Sequence, residues 1–72
     1  MTSEERKAAR SGGQKLREAI RAAGHSIRGA AEAWNIPWGT LNGWAYGTRR
    51  PCGKYLAILE AQTGLTARDF HP

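Results

Sequence analysis

Apolar residues recur at three- and four-residue spacing in short segments of this chain, each ended by Gly or Asn, and no segment reads as a strand. Leu16, Ala19, Ile20 and Ala23 share one face of a segment that Gly24 stops. Ile27, Ala30, Ala31 and Trp34 share a face of the next, with Ser26 as its cap and Asn35 at its end. A third segment runs from Pro37 or Trp38 to Tyr46, turns Leu41 and Trp44 inward, and ends at Gly47. A fourth, "KYLAILEAQT", turns Leu56, Leu59 and Ile58 inward before Gly64. Thr66 then caps a short turn, "ARDF", that tucks Leu65 and Phe70 against the body.

Ahead of these lies "TSEERKAAR", where Thr2 stands three residues before Glu5, a capping-box spacing. The segment is polar apart from alanines, so it offers no face to bury. "SGG" at 11–13 is expected to break it, with Ser11 and Gln14 opening a new helix. The pattern predicts an all-α protein, a compact bundle of four to five short helices. Residues 1–11 are expected to form a frayed helix or flexible arm, and residues 12–72 the domain.

A 72-residue chain buries only a modest core, and dimerisation is one remedy. Its charge is uneven. Residues 1–18 carry five basic and three acidic side chains; residues 19–59 carry Arg21, Arg28, Arg49, Arg50 and Lys54 against Glu32 alone. A small basic domain points to an anionic partner, most often nucleic acid. The single cysteine, Cys52, permits no internal disulfide and fits a reducing cytoplasm. No apolar run approaches membrane-spanning length, and the N-terminus does not read as a secretory signal. One Cys and two His, His25 and His71, make no zinc spacing, and no paired acid and base suggests an enzyme. No catalytic residue, metal or cofactor is expected.

Two short helices, 27–34 and 37–46, joined by a turn holding an apolar residue, have the layout of a helix-turn-helix. Ala31 is small where they would cross. The order of residues resembles the Cro/cI-type (XRE-like) helix-turn-helix family of phage and bacterial repressors. The resemblance rests on Leu16-Arg17-Glu18, Gly24, Ser26, Ala31-Glu32, Asn35-Ile36, Leu41, Trp44, Gly47, Arg49, Pro51, Leu56, Leu59, Gly64-Leu65-Thr66 and Phe70. It runs without a gap from 16 to 70. Asn35 replaces the usual turn glycine, and Pro37 stands where a Ser or Thr usually caps the second helix. Ala45 replaces an acid that often pairs with an arginine, and the facing position is Ile20.

The resemblance implies a lambda-repressor-like fold and a second helix that enters the DNA major groove. Base contacts are then expected from Trp38, Gly39, Asn42 and Gly43. Asn42 offers an amide for adenine, and Trp38 an apolar ring for a thymine methyl or a sugar edge. The two glycines are expected on the outward arc, leaving room for close approach of the duplex. Phosphate contacts are expected from Arg28, Thr40, Tyr46, Arg49, Arg50 and Lys54. Tyr55, Ile58, Leu65 and Phe70 are the candidate contacts of a homodimer.

The function expected is a sequence-specific transcriptional regulator of double-stranded DNA, foremost a repressor of its own gene acting on an inverted-repeat operator. It resembles a phage Cro-type or an anti-CRISPR-associated regulator. No membrane partner and no small-molecule effector is expected. The alternative is an antitoxin-type interaction module of the same fold whose main partner is a toxin.

Overall fold

The computed structural model describes residues 2–71; Met1 and Pro72, the outer ends of the expected arm and domain, lie outside the described residues. Four α-helices follow in order: α1 (Ser3–Ala22), α2 (Ile27–Trp34), α3 (Trp38–Ala45) and α4 (Lys54–Thr63). A 3₁₀ turn at Ala67–Asp69 closes the chain, and no strand occurs among the described residues. The protein is an all-helical bundle.

The separate arm expected over residues 1–11 is corrected. Helix α1 is continuous for 20 residues, and "SGG" lies inside it. Its N-terminus carries the capping box read from Thr2 and Glu5. The Glu5 N–H donates to Thr2 Oγ1 and the Thr2 N–H donates to Glu5 Oε1, both at 3.2 Å. At 1.5 Å per residue the helix is about 30 Å long, close to the 32 Å long axis of the molecule.

The glycines do not break α1 because they belong to its inner stripe. The buried positions are Ala9, Gly12, Gly13, Leu16 and Ile20, a helical succession along one face. A Cβ on Gly12 would collide with the Phe70 ring and the Asp69 carbonyl. One on Gly13 would lie 2.8 Å from the Trp44 carbonyl oxygen and closer still to that of Ala45. Each glycine costs about 1 kcal/mol of helix propensity. The close approach of α3 and the C-terminal turn offsets that cost. Ser11 is exposed mid-helix and caps nothing.

The core draws on every element. Leu16 and Ile20 come from α1, Ala30, Ala31 and Trp34 from α2, and Ile36 from the following turn. Helix α3 adds Leu41, Trp44 and Ala45, α4 adds Leu59, and the C-terminus adds Phe70. Burying a large apolar side chain contributes about 1.5–3 kcal/mol, so this small set carries most of the driving force. Phe70 is fully buried among these residues, which corrects its assignment to a dimer surface.

Two turns set the geometry of α3. Asn35 closes α2 in the left-handed region, at φ 56° and ψ 40°, a conformation that asparagine tolerates better than most residues. Ile36 then points into the core, and Pro37 immediately precedes α3 with φ −54°. After α3, Gly47 has φ +76° and its α-carbon faces the backbone of Arg10, where a Cβ would stand 3.1 Å from the Arg10 α-carbon. The left-handed turn at Gly47 therefore also seats the chain on the first half of α1.

Candidate nucleic-acid interface

The exposed aromatics of the molecule lie at the two ends of α3. Trp38 is 45% exposed and Tyr46, just past the helix, is 55% exposed. Trp34 and Trp44 are buried. No side chain caps the N-terminus of α3. Gly39 is exposed, and a Cβ built on it meets nothing within 4 Å. Thr40 and Asn42 are half-buried. Trp38 and Gly39 are therefore exposed at the N-terminal end of α3, with half-buried Asn42 one turn further on.

Gly43 does not join them, which corrects its expected outward position. It is buried under the returning loop. Its carbonyl accepts the N–H groups of Thr48 and Arg49 at 2.9 and 3.2 Å, and the Thr48 hydroxyl at 3.3 Å. A Cβ on Gly43 would stand 3.0 Å from Arg49 Cδ and 3.1 Å from Arg49 Cγ. The helical arc alone places Gly43 outside; the chain after α3 folds over that part of the arc.

The basic side chains divide by what they already touch. Arg49 is exposed, with its aliphatic stem lying along Gly43. Lys54 is exposed, with its ammonium 5.1 Å from the centroid of the Tyr55 ring. Arg28 is exposed on the first turn of α2, and its guanidinium carbon is 4.8 Å from the centroid of the Trp38 ring. Arg50 differs. Its Nη1 pairs with Glu5 Oε2 at 2.9 Å and lies 3.2 Å from His71 Nδ1. This arginine is half-buried and clamps the start of α1 to the loop, so its expected phosphate role competes with an internal partner.

Arg17 belongs to the Leu16-Arg17-Glu18 match but carries no expected site role. Its guanidinium donates to the Ala45 carbonyl and stacks 5.0 Å from the Tyr46 ring centroid. It thus satisfies a carbonyl of the last turn of α3 and steadies Tyr46 at once. The only local signal was its position one residue after Leu16 on a buried stripe. The Glu5–Arg50 pair had no local signal, because its members lie in different elements.

Two carboxylates are shifted. The Thr2 backbone N–H, then the Thr2 hydroxyl, hold Glu5 below its usual range, with a smaller effect from Arg50. The Thr66 N–H, then Lys15, do the same for Asp69. The Thr66 N–H reaches Asp69 Oδ2 at 2.9 Å, and Lys15 Nζ reaches Asp69 Oδ1 at 3.0 Å. Both acids therefore fasten the chain ends and stand apart from α3.

The sequence holds no acid between Glu32 and Glu60, and among the described residues the one carboxylate paired with a base of this interval is Glu5, on Arg50. Across that interval stand Arg49, Arg50 and Lys54, with Arg28 facing from α2. An open cleft of about 230 Å³ lies beyond Tyr46, lined by Arg17, Ile20, Arg21, His25, Ser26 and Ile27. His25 forms its edge by packing edge-on against Trp34, with ring centroids 6.1 Å apart. Tyr55, Ile58 and Leu65 are half-buried and packed against the core. They keep only part of their surface for any further contact.

Comparison with protein-family models, curated proteins and solved structures returns no match. No helix of the described residues is long and apolar enough to cross a membrane.

Proposed function

We propose that this protein binds double-stranded DNA in a sequence-dependent way and regulates transcription, foremost as a repressor of its own gene. The observation that carries this reading is the outer face of α3 from Trp38 to Asn42. It presents an exposed indole at Trp38, open space at Gly39 and an amide at Asn42. Arginines flank it, and the nearest acids in sequence lie at positions 32 and 60.

In this reading α2 and α3 form a helix-turn-helix, and α3 lies in the major groove. Trp38 and Asn42 meet base edges, and Gly39 lets the helix backbone approach. Arg49, Lys54 and the exposed faces of Arg28, Thr40 and Tyr46 meet phosphates. Phosphate contacts position the protein and make affinity salt-dependent; base contacts supply the preference. Two copies of the chain, meeting through the outer surfaces of Tyr55, Ile58 and Leu65, would read the halves of an inverted repeat.

The test is an electrophoretic mobility shift with the full chain. The probe is duplex DNA from upstream of its own gene, at two salt concentrations, with random duplex as competitor. A shift that survives the competitor and weakens with salt supports the reading. Binding that the competitor abolishes leaves a non-specific basic protein, and no shift at either salt refutes the reading.

A further inference from the structure

Trp38 is an exposed indole fixed to its neighbour by a planar cation. The guanidinium of Arg28 reaches it from α2, across the turn, at 4.8 Å from the ring centroid. Glu32 lies four residues on along α2, a spacing that suits an ion pair. Yet no ion pair between them occurs among the described residues, whose salt bridges are Lys15–Asp69 and Arg50–Glu5. The guanidinium is directed to the ring. Core packing of Ala31 and Trp34 with Leu41 fixes α2 against α3, so the base of Arg28 is held in place relative to Trp38. An exposed side chain ordinarily loses rotamer freedom when it binds, and prior ordering reduces that cost. A planar guanidinium orders an aromatic ring more effectively than an ammonium does.

We propose that Arg28 is a specificity-determining positioning residue. It stacks on Trp38 and presets the indole against the 5-methyl group of a thymine in each half-site. This rests on the DNA-binding reading above and deepens it by naming the group that is read. An indole has one N–H donor and a broad apolar surface, so its major-groove complement is the thymine methyl, the apolar feature of that groove. Arg28, expected from the sequence to touch phosphate alone, thereby acquires an effect on base preference.

The experiment uses the full chain and duplexes selected by it from a randomised pool. Binding is measured on the selected duplex, on its single-base variants, and on versions with deoxyuridine in place of each thymine. Removal of one methyl should weaken wild-type binding at one position per half-site. Trp38→Ala should abolish that sensitivity. Arg28→Ala should reduce it about two- to fivefold, the size of an exposed cation–π contact, and Arg28→Lys, which keeps the charge but not the planar stack, should reduce it less, with the salt slope unchanged. Without DNA, acrylamide quenching of the Trp38 emission, assigned by difference from Trp38→Phe, should rise in Arg28→Lys.

Wild-type quenching and wild-type methyl sensitivity in Arg28→Lys would overturn the proposal. So would an Arg28→Ala variant that flattens the salt slope and leaves base preference intact. In both cases a selected sequence would persist and the DNA-binding reading would stand. A pool that yields no enriched sequence would overturn both.

Discussion

The ring of Phe70 rests on the bare α-carbon of Gly12: a Cβ at Gly12 would lie 2.5 Å from Phe70 Cδ1. This contact joins the middle of α1 to the end of the chain. It accounts for a glycine inside a long helix, and it places in the core a phenylalanine that the sequence suggested for a dimer surface.

Gly12→Ala should therefore destabilise the protein although alanine is the better helix former. Overpacking costs about 1–3 kcal/mol, and here the obstruction includes a backbone carbonyl, that of Asp69, which cannot rotate aside. Gly39→Ala is the control. Its Cβ meets nothing within 4 Å, so its stability should rise by up to about 1 kcal/mol. Denaturant midpoints measured on the pair check the contrast; equal shifts would contradict the packing at Gly12.

Phe70→Ala should cost about 3–5 kcal/mol, a large share of what a domain this small possesses. Circular dichroism should show loss or marked weakening of the cooperative transition. A variant that melts normally but sediments as a smaller species would return Phe70 to an intermolecular surface.

Arg49 and Arg50 are adjacent in sequence but should respond differently. Arg49→Ala should leave the melting temperature near wild type, weaken binding to all duplexes alike, and flatten the salt slope by about one. Arg50→Ala should release Glu5 and speed amide exchange over the first turns of α1. Its effect on global stability should be small, because the ion pair is solvated. Identical effects of the two substitutions on the salt slope would remove the distinction.

Gly43→Ala tests the loop. A methyl there must displace the stem of Arg49, which is flexible. The gain in helix propensity, about 1 kcal/mol, should be largely cancelled, so the melting temperature should change little. DNA binding should fall through the altered course of Arg49, with a change in salt slope. Loss of base preference at an unchanged slope would instead place Gly43 at the bases.

The chain ends should loosen in acid. The folded values of Glu5 and Asp69 lie below their usual values of 4.5 and 3.8. Each carboxylate thus stabilises its turn at pH above the unfolded value, and that contribution disappears as pH falls through the folded value. Relative to the free peptide, protection of the Thr2 amide should be lost as pH falls below about 4.5, and that of the Thr66 amide as pH falls below about 3.8. Glu5→Gln should remove the pH dependence at the first amide and leave the second unchanged. A pH-independent exchange rate ratio between folded and free peptide at both sites would contradict the assignment.

The all-helical class and the ends of α2, α3 and α4 were legible from residue order alone. These rest on local chemistry: apolar spacing, the Ser26 cap, Asn35 in the left-handed region, Pro37 before α3 and Gly64 after α4. Residue order also placed Trp38 and Gly39 on an accessible face, because that part of α3 has no later chain over it. The continuity of α1, the burial of Gly43 and Phe70, and the different surroundings of Arg49 and Arg50 came from packing between elements. Each depends on a segment distant along the chain or folded back across a helix: Phe70 over Gly12, the 48–49 loop over Gly43, Glu5 beside Arg50. Helical periodicity fixes the direction of a side chain from its own axis. What covers that direction depends on how the remaining elements pack, and glycine, lacking a side chain of its own, marks equally a break, a surface gap or a tight crossing.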